Sequence, residues 1–263
     1  MKRTYVWATL LLSFGLCGSS LTSCGDDDDD VLTEVTVPGN GNDNNGDSGD
    51  EGSGDGDGGK EDEGNGNKTD LNGHEAIDLG LSVKWATCNV GANTPEEYGG
   101  YYAWGETEEK DYYDWSTYKY CQGSKNTLTK YCTDSSSGIV DNKTVLDPED
   151  DVAHVKWGGS WRMPTSTEIR ELLNNCSWTW TIQNGVNGYV VTSKSNGSNI
   201  FLPAAGNRWH QDVSNSEVGG YYRSASLFKY NSEDDYSLCF DDDSWYLYDN
   251  ARYDGFSVRP VTE

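Results

Sequence analysis

Basic residues are scarce in this chain of 263 residues, which has 19 Lys and Arg against 44 Asp and Glu and a formal net charge of −25. Binding to a nucleic-acid backbone requires clustered Lys and Arg, so nucleic acid is excluded as an expected partner. Catalytic motifs are also missing. The three histidines, His74, His154 and His210, form no HExxH, and there is no GxSxG and no phosphate-binding glycine loop. We therefore expect neither an enzyme nor a cofactor.

Cysteine pairs with the CxxC spacing of a structural zinc site are absent, and no metal is expected. Five of the seven cysteines lie after residue 71: Cys88, Cys121, Cys132, Cys176 and Cys239. In an oxidising compartment, an odd number leaves at least one thiol unpaired. Cys121 and Cys132 could close a small hairpin, whereas Cys88 and Cys176 could be either a bridge or two buried thiols.

Long apolar runs are lacking as well. The longest, residues 5–16, has about a dozen residues, and a helix needs roughly 20 to span a bilayer. It follows Lys2 and Arg3 and precedes Leu21-Thr22-Ser23-Cys24, which resembles the lipobox of bacterial lipoproteins. We therefore expect residues 1–23 to be a signal peptide and Cys24 to carry lipid, with an ordinary secretory signal as the alternative. Two or three acyl chains anchor a protein firmly to a membrane that it does not cross.

An acidic, glycine-rich segment follows the lipobox. Residues 25–70 contain sixteen acidic residues against Lys60 and Lys68, a net charge of −14. This composition cannot form a core, so residues 24–70 are expected to be a disordered tether with an r.m.s. span of roughly 40 Å. The acidic run 26–30 resembles an export tag of anaerobic Gram-negative bacteria that sends lipoproteins to the outer face of the outer membrane. The alternative is that this run simply begins the tether.

Aromatic residues are concentrated in residues 71–263, which contain nine of the ten Trp and sixteen of the seventeen Tyr. This density predicts one folded domain with a sizeable core. Apolar and polar residues alternate over residues 77–87, as in a half-buried opening strand. Residues 98–104 suggest either a short strand or a packed loop. Residues 105–144 suggest a long ordered insertion with strand-like segments near Tyr118 and Tyr131.

Two helix starts follow the insertion. Asp147 can cap a helix with Pro148 at its first position, and the acids that follow suit the positive end of the helix dipole, although a Ca²⁺ site is the alternative. His154 should lie on this helix in a structural role. The segment from Thr165 to Glu168 is a capping box for an amphipathic helix that buries Ile169, Leu172, Leu173 and Cys176. Short strands are predicted at 178–182, 188–193, 200–203, 236–240, 245–248 and 256–261, which makes the domain α+β.

Four motifs in this domain resemble a known family. They are IDLGLSVKWATCNVGA at 77–92, GGSWRMPT at 158–165, IFLPAAG at 200–206 and SVRPV at 257–261. Together they resemble the Fibrobacter succinogenes major paralogous domain, a relative of the formylglycine-generating-enzyme type of C-type lectin fold, over residues 74–263. The resemblance implies a C-type-lectin-like fold with two helices, a mostly antiparallel sheet, long loops and paired terminal strands, here 77–87 and 256–262. The usual calcium-lectin triplets are absent, so calcium-dependent sugar binding is not implied.

The same group includes the variable proteins of diversity-generating retroelements, in which a C-terminal stretch mutated at adenines forms the ligand-binding face. That stretch commonly ends in a sequence pattern similar to the one at residues 252–261 of this chain. Residues 221–256 hold seven Tyr, seven Asp and five Ser, which adenine mutation of Asn codons can produce. Arg223 and Asp235 stand where relatives often have Trp and Ala. A fixed family member whose polar loops are merely solvated is the alternative.

The residue types of this stretch also suit binding, because Tyr gives large contact area at low entropic cost and Ser, Asn and Asp give adaptable polar contacts. Alternation over residues 236–241 places Tyr236, Leu238 and Phe240 inward and Ser237, Cys239 and Asp241 outward. The predicted ligand-binding residues are Arg223, Phe228, Tyr230, Asp235, Ser237, Asp241, Asp243, Trp245, Tyr246, Tyr248, Asn250 and Tyr253.

The sequence therefore predicts an outer-membrane lipoprotein, facing the cell exterior, that binds a protein or glycan on another cell or phage. A structural or fimbria-associated surface role is the alternative. A surface enzyme is a third possibility. It would need two acids of Glu233-Asp234-Asp235 and Asp241-Asp242-Asp243 to converge in a cleft, as in a glycosidase. In each of these roles, the protein would contact the membrane through its lipid anchor alone.

Overall fold

The computed structural model describes residues 68–263. The predicted signal peptide, the lipidation site at Cys24 and the tether as far as residue 67 lie outside the described residues. The first strand begins at Lys68, three residues before the predicted start of the domain. Within the described part of the chain, no helix has the length and apolar character needed to cross a membrane.

Two helices and twelve strands are present in residues 68–263, and every strand pair within the sheets is antiparallel, which confirms the α+β class. The helices are α1 (Val152–Trp157) and α2 (Ser166–Asn175), and a 3₁₀ turn (Pro148–Asp150) precedes α1. The strands are β1 (Lys68–Leu71), β2 (His74–Ile77), β3 (Lys84–Ala86), β4 (Cys176–Gln183), β5 (Val186–Ser193), β6 (Asn199–Pro203), β7 (Asn207–Trp209), β8 (Asp212–Ser214), β9 (Gly220–Leu227), β10 (Asp234–Phe240), β11 (Trp245–Ala251) and β12 (Val261–Thr262). They form four sheets in the orders β1-β2-β3-β12, β4-β5-β6, β11-β10-β9 and β7-β8.

The two ends of the domain meet in the first sheet, where Trp85 of β3 lies opposite Val261 of β12. The predicted pairing of the terminal strands is therefore present, although both strands are shorter than predicted. Residues 77–87 divide into β2 and β3 because Asp78 accepts a hydrogen bond from the Gly80 backbone N–H at 2.6 Å, and Gly80 turns the chain at φ +66°. Before β12, only Phe256 and Ser257 make isolated bridges, and Pro260, directly before Val261, has no N–H to donate to a ladder.

Helix α2 begins as the sequence predicts. The Thr165 side chain accepts a hydrogen bond from the Glu168 backbone N–H, and the Glu168 carboxylate accepts one from the Thr165 backbone N–H at 2.7 Å. Ile169 and Leu172 are buried in a core that also contains side chains of β4, β5, β6, β9, β10 and β11. Leu173 is only partly buried and packs against this core. The helix therefore holds the inner face of the β11-β10-β9 sheet.

Helix α1 begins later than predicted. Asp147 makes no side-chain cap and instead pairs with Lys130 and Lys143, while Asp151 caps α1 by accepting from the Ala153 and His154 backbone N–H groups at 2.9 and 3.1 Å. The intervening 3₁₀ turn moves the helix start by four residues. His154 lies on α1, with its Nδ1 3.3 Å from the Trp161 carbonyl oxygen, as expected for a structural residue.

Residues 87–147 contain no strand, so the strand-like segments predicted near Tyr118 and Tyr131 are wrong. Both rings are buried instead, and Tyr131 adopts φ +57°, which no extended strand allows. The Tyr131 ring makes edge-on contacts with Trp104 and Tyr120, with centroids 5.0 and 5.5 Å apart. Residues 98–104 form a packed loop with one bridge, from Tyr102 to Phe256. The insertion is therefore an aromatic-cored loop rather than a sheet.

All five cysteines of the described region are free thiols. The hairpin bridge considered for Cys121 and Cys132 is not formed, because each thiol donates to a carbonyl of its own loop, to Trp115 at 3.0 Å and to Asp134 at 3.1 Å. Cys88 and Cys176 are two buried thiols, not a bridge, and burial raises the pKa of the Cys176 thiol to about 11.

Candidate ligand-binding face

Strand β10 lies at the centre of the C-terminal sheet, so its side chains have neighbours on both sides. Ser237 lies between Arg223 of β9 and Tyr248 of β11, and Cys239 lies between Tyr221 and Tyr246. Directly opposed residues of antiparallel strands share a face of the sheet. One face therefore presents Tyr221, Tyr246, Tyr248 and Asn250 at its surface, and we call these four residues the tyrosine face.

The other face of the same sheet is core. Leu238 lies opposite Leu247 and Tyr222, and all three are buried in the cluster around α2. Tyr236 and Phe240 belong to the same cluster. The predicted inward orientation of Tyr236, Leu238 and Phe240 is therefore confirmed.

The outward residues of β10 are not exposed, contrary to the prediction. Ser237 and Cys239 are 0% and 3% exposed, and Arg223 and Asp235 are both 0% exposed. The turn after β11 covers Arg223, whose guanidinium donates hydrogen bonds to the carbonyl oxygens of Ala251, at 3.0 Å, and of Asp254. Arg223, Asp235 and Ser237 were predicted to contact the ligand. They instead form a buried polar layer on the same side of the sheet as the tyrosine face, directly beside it.

An ion pair holds this polar layer together. The Arg223 guanidinium contacts the Asp235 carboxylate and lies 4.1 Å from the centre of the Phe256 ring, and the Ser237 hydroxyl donates to Asp235 at 3.0 Å. Burial raises the pKa of the Asp235 carboxyl, and the Arg223 charge opposes that shift. Removing one partner of such a pair leaves a buried charge without compensation, so both partners are needed to keep this layer buried beside the tyrosine face.

Four of the predicted residues are exposed: Tyr230, Asp243, Tyr246 and Tyr248. The rings of Tyr246 and Tyr248 are 36% and 50% exposed and meet edge to face, with centroids 5.9 Å apart. Asn250 is half-buried and donates to the Cys239 sulfur at 3.4 Å. This leaves two adjacent tyrosine rings on β11 as the main exposed contact surface of the tyrosine face.

Other predicted residues serve the fold. Phe228 is 8% exposed and lies against the Tyr230 and Tyr236 rings. The half-buried Trp245 stacks on Trp178 at 5.6 Å and therefore belongs to the core. Asp241 is half-buried and shapes the turn from β10 to β11, because its carboxylate accepts from the Ser244 backbone N–H and hydroxyl at 2.9 and 2.8 Å.

Two acidic groups of the described region are close enough to share a metal ion: Asp147 with Glu149 and Asp150, and Asp241 with Asp242 and Asp243. Lys130 lies within the first group, with its Nζ 2.6 Å from carboxylate oxygens of both Asp147 and Asp150. An ammonium group thus already compensates these charges, so the geometry favours an ion-pair cluster over the Ca²⁺ site considered from the sequence. The second group lies in an exposed turn, as expected for a hydrated acidic surface.

An aromatic ridge that the sequence did not indicate lies beside the C-terminal turn. Trp209 stacks on His210 at 4.0 Å, His210 stacks on Tyr112 at 5.0 Å, and Tyr253 meets the Trp115 ring at 5.1 Å. Trp209 is 49% exposed. These five residues come from three separate segments of the chain, which the Tyr113–His210 and Arg208–Gly255 bridges bring together. The one local signal is the turn at His210, which has φ +54°.

Carboxylates gather at the end of β11 near this ridge. Burial raises the pKa of Asp234 to about 6, and the negative charges of Asp249 and Glu233 add to the shift. Burial likewise raises the pKa of Asp254 to about 6, with Asp234 adding to the shift and Arg223 and His210 opposing it. The acids of this region therefore lie close enough to disfavour one another's charge.

The tyrosine face and its surroundings offer aromatic and carboxylate contacts. No protein-family model matches the chain, and comparisons with curated proteins and with solved structures found no match.

Proposed function

We propose that this chain is a surface-displayed lipoprotein that binds a protein or glycan ligand through the tyrosine face. The observation that carries the proposal is the pair of exposed rings, Tyr246 and Tyr248, held side by side on a strand whose other face is buried. Rigid, exposed tyrosines over a fixed scaffold are the main contact residues of antibody paratopes. The buried ion pair of Arg223 and Asp235 joins β9 to β10, the strand that pairs with β11.

The N-terminal sequence supports display. Lipid at Cys24 would fix the chain to the outer membrane, and the acidic segment that follows would hold the domain away from the headgroups. A binder gains more from such a tether than an enzyme that acts on diffusing substrates. We further propose that the lipid-anchored domain faces the cell exterior.

The proposed fold is more specific than the α+β class. We propose a C-type-lectin-like domain related to the Fibrobacter succinogenes major paralogous domain, supported by the four motifs and by the pairing of β3 with β12. We further propose that residues 221–256 are a diversified region, of which Tyr246 and Tyr248 are exposed products and Arg223 and Asp235 are buried ones. A variable region of this kind places its diversity mainly on β11 and the adjoining turns.

An array of glycans and bacterial surface proteins, probed with the full-length chain in detergent, tests the binding function. The expected result is a saturable hit that is lost when Tyr246 and Tyr248 are both changed to Ala. The matched control is Ile182→Ala, because Ile182 is 68% exposed and lies on a different sheet. If no ligand on the array binds, the structural or fimbria-associated role replaces the binding role.

The neighbouring DNA tests diversification separately. A retroelement predicts a reverse-transcriptase gene nearby and a second copy of the region coding for residues 221–261 that differs only at adenines. Absence of both would remove the retroelement from the proposal. A fixed binding domain would then remain.

A further inference from the structure

Strand β11 has an open backbone edge. Its one strand neighbour among residues 68–263 is β10. In an antiparallel pair, about half of the N–H and C=O groups of an edge strand point away from its neighbour, and proteins usually protect such edges with Pro, Lys or a short strand. β11 is seven residues long and contains neither Pro nor Lys. It is therefore a template to which another extended chain can add.

The chain segment that contains β11 is strongly acidic. Residues 233–254 contain eight acids and one base, Arg252, which is 0% exposed, and two of these acids, Glu233 and Asp235, pair with Lys125 and Arg223. The acids lie near both ends of the strand: Asp241, Asp242 and Asp243 precede it, and Asp249 lies on it, two residues before its last residue, Ala251. A segment lying along β11 would therefore meet carboxylates at each of its ends.

Other strands of the described region lack this combination. β4 is also a long edge strand, with eight residues, but it carries no charged side chain. The outer edge of β9 is occupied in part, because Tyr222 bridges to Ser257 and Ser226 bridges to Val145. β11 is thus the edge at which exposed aromatic rings, free backbone groups and acidic ends coincide.

We propose that β11 binds an extended, positively charged segment of a protein ligand as an additional strand of the sheet. Backbone hydrogen bonds along the edge hold the segment, Tyr246 and Tyr248 pack against its alternate side chains, and the carboxylates at the strand ends pair with its Lys and Arg. The inference rests on the proposed function and narrows the ligand class from protein or glycan to a basic polypeptide.

A random library of nine-residue peptides on beads, screened with the full-length chain in detergent, tests the ligand class. The expected pool is enriched in Lys and Arg. The strongest binder is then made in two N-methylated forms. One form is methylated at the backbone nitrogens of the odd-numbered residues, and the other at those of the even-numbered residues. One form should bind at least roughly tenfold more weakly than the parent peptide, because several backbone hydrogen bonds are lost, and the other should bind nearly as well.

The protein side of the contact is tested with a matched pair of triple variants. Changing Asp241, Asp242 and Asp243 to Asn removes three charges and keeps the turn, because the Asn oxygen can still accept from Ser244. This should weaken binding at least roughly fivefold at low salt. The control variant, Glu108→Gln, Asp134→Asn and Glu149→Gln, removes three exposed charges elsewhere and should bind like the parent chain.

Several results would overturn the inference. On the ligand side, the inference is contradicted if no peptide binds, if the pool is not enriched in Lys and Arg, or if the two N-methylated forms bind equally. On the protein side, it is contradicted if the two triple variants weaken binding equally. A glycan or uncharged protein that binds on the array and depends on Tyr246 and Tyr248 also contradicts it. That last result would leave the proposed function standing, so the two failures are distinguishable.

Discussion

Replacing Arg252 by Met should destabilise the domain strongly, because this side chain joins the aromatic insertion to the C-terminal turn. Its guanidinium is fully buried and donates to the Tyr118 hydroxyl at 2.9 Å and to the carbonyl oxygens of Tyr131, Ser232 and Lys130 at 3.0, 2.9 and 3.1 Å. It also lies 4.7 Å from the centre of the Trp104 ring. No carboxylate of the described residues forms a salt bridge with it, so these groups compensate the charge.

The magnitude follows from the acceptors that the substitution leaves behind. Methionine fills much of the space but donates no hydrogen bond, so three carbonyls and one hydroxyl lose a charged donor. Buried hydrogen bonds to a charged group contribute about 1.5–3 kcal/mol each but are not additive, which gives an expected loss of about 3–5 kcal/mol in the free energy of unfolding. For a domain of this size, that corresponds to a fall in Tm of roughly 10 °C.

Urea denaturation of the full-length chain, followed by tryptophan fluorescence, measures this loss. Arg252→Lys keeps the charge but cannot reach four acceptors, so its stability should lie between those of the parent and the Met variant. Arg170→Met is the control, since the guanidinium of Arg170 lies 5.7 Å from the centre of the Tyr236 ring, a cation–π contact worth about 1 kcal/mol or less. A loss below about 1 kcal/mol for Arg252→Met would refute the assigned role of this residue.

Three further predictions concern a helix cap, pH and the lipid. Thr165→Ala removes the side-chain acceptor of the capping box and should lower the free energy of unfolding by about 1 kcal/mol in urea denaturation, whereas Thr165→Ser should be nearly neutral. The pKa values of Asp234 and Asp254 are about 6 in the folded state and about 4 in the unfolded state. Between about pH 4 and 6, the folded state therefore binds more protons than the unfolded state. Stability should therefore fall as pH rises from about 4 to 6, and the double change of Asp234 and Asp254 to Asn should flatten that fall; an unchanged slope contradicts the assignment. Mass spectrometry of the mature chain should show acyl groups on an N-terminal Cys24, and an unmodified Cys24 or cleavage elsewhere would contradict lipidation.

Local signals explain the parts of the fold that the sequence predicted well. The capping box at Thr165 and the spacing of Ile169 and Leu172 specify α2 without help from the rest of the chain. The neighbouring strands β4, β5 and β6 each contain a predicted strand, because β-branched and aromatic runs there are separated by turn residues. In these segments, local preference and tertiary packing agree.

Parts of the fold set by distant contacts were not predictable. β9 (Gly220–Leu227) gives no clear alternation because almost all of it is buried. The burial of Arg223 and Asp235 depends on the carbonyls of Ala251 and Asp254, some thirty residues from Arg223 along the chain. Polar residues at strand spacing predict a solvent face, and only the turn that covers them reverses that expectation.

The same difference between local and distant contacts decides which residues of the candidate site could be predicted. Tyr246 and Tyr248 were predictable as surface residues because Leu247 between them is buried, which fixes their side of β11. The aromatic ridge around Trp209 and His210 was not, because its members come from three separate segments of the chain. Exposed residues of a regular strand can therefore be identified from the sequence, whereas sites assembled from loops require the structure.

The most direct test of the central claim compares dissociation constants of an array-identified ligand for three forms of the full-length chain: the parent, the double variant Tyr246→Ala and Tyr248→Ala, and Ile182→Ala. If the tyrosine face is the binding site, the double variant should bind at least roughly 30-fold more weakly, as for loss of an interface hot spot. The Ile182 variant should then bind like the parent. Parent-like affinity of the double variant, with its fold confirmed by its urea midpoint, would place the binding site elsewhere and contradict the claim.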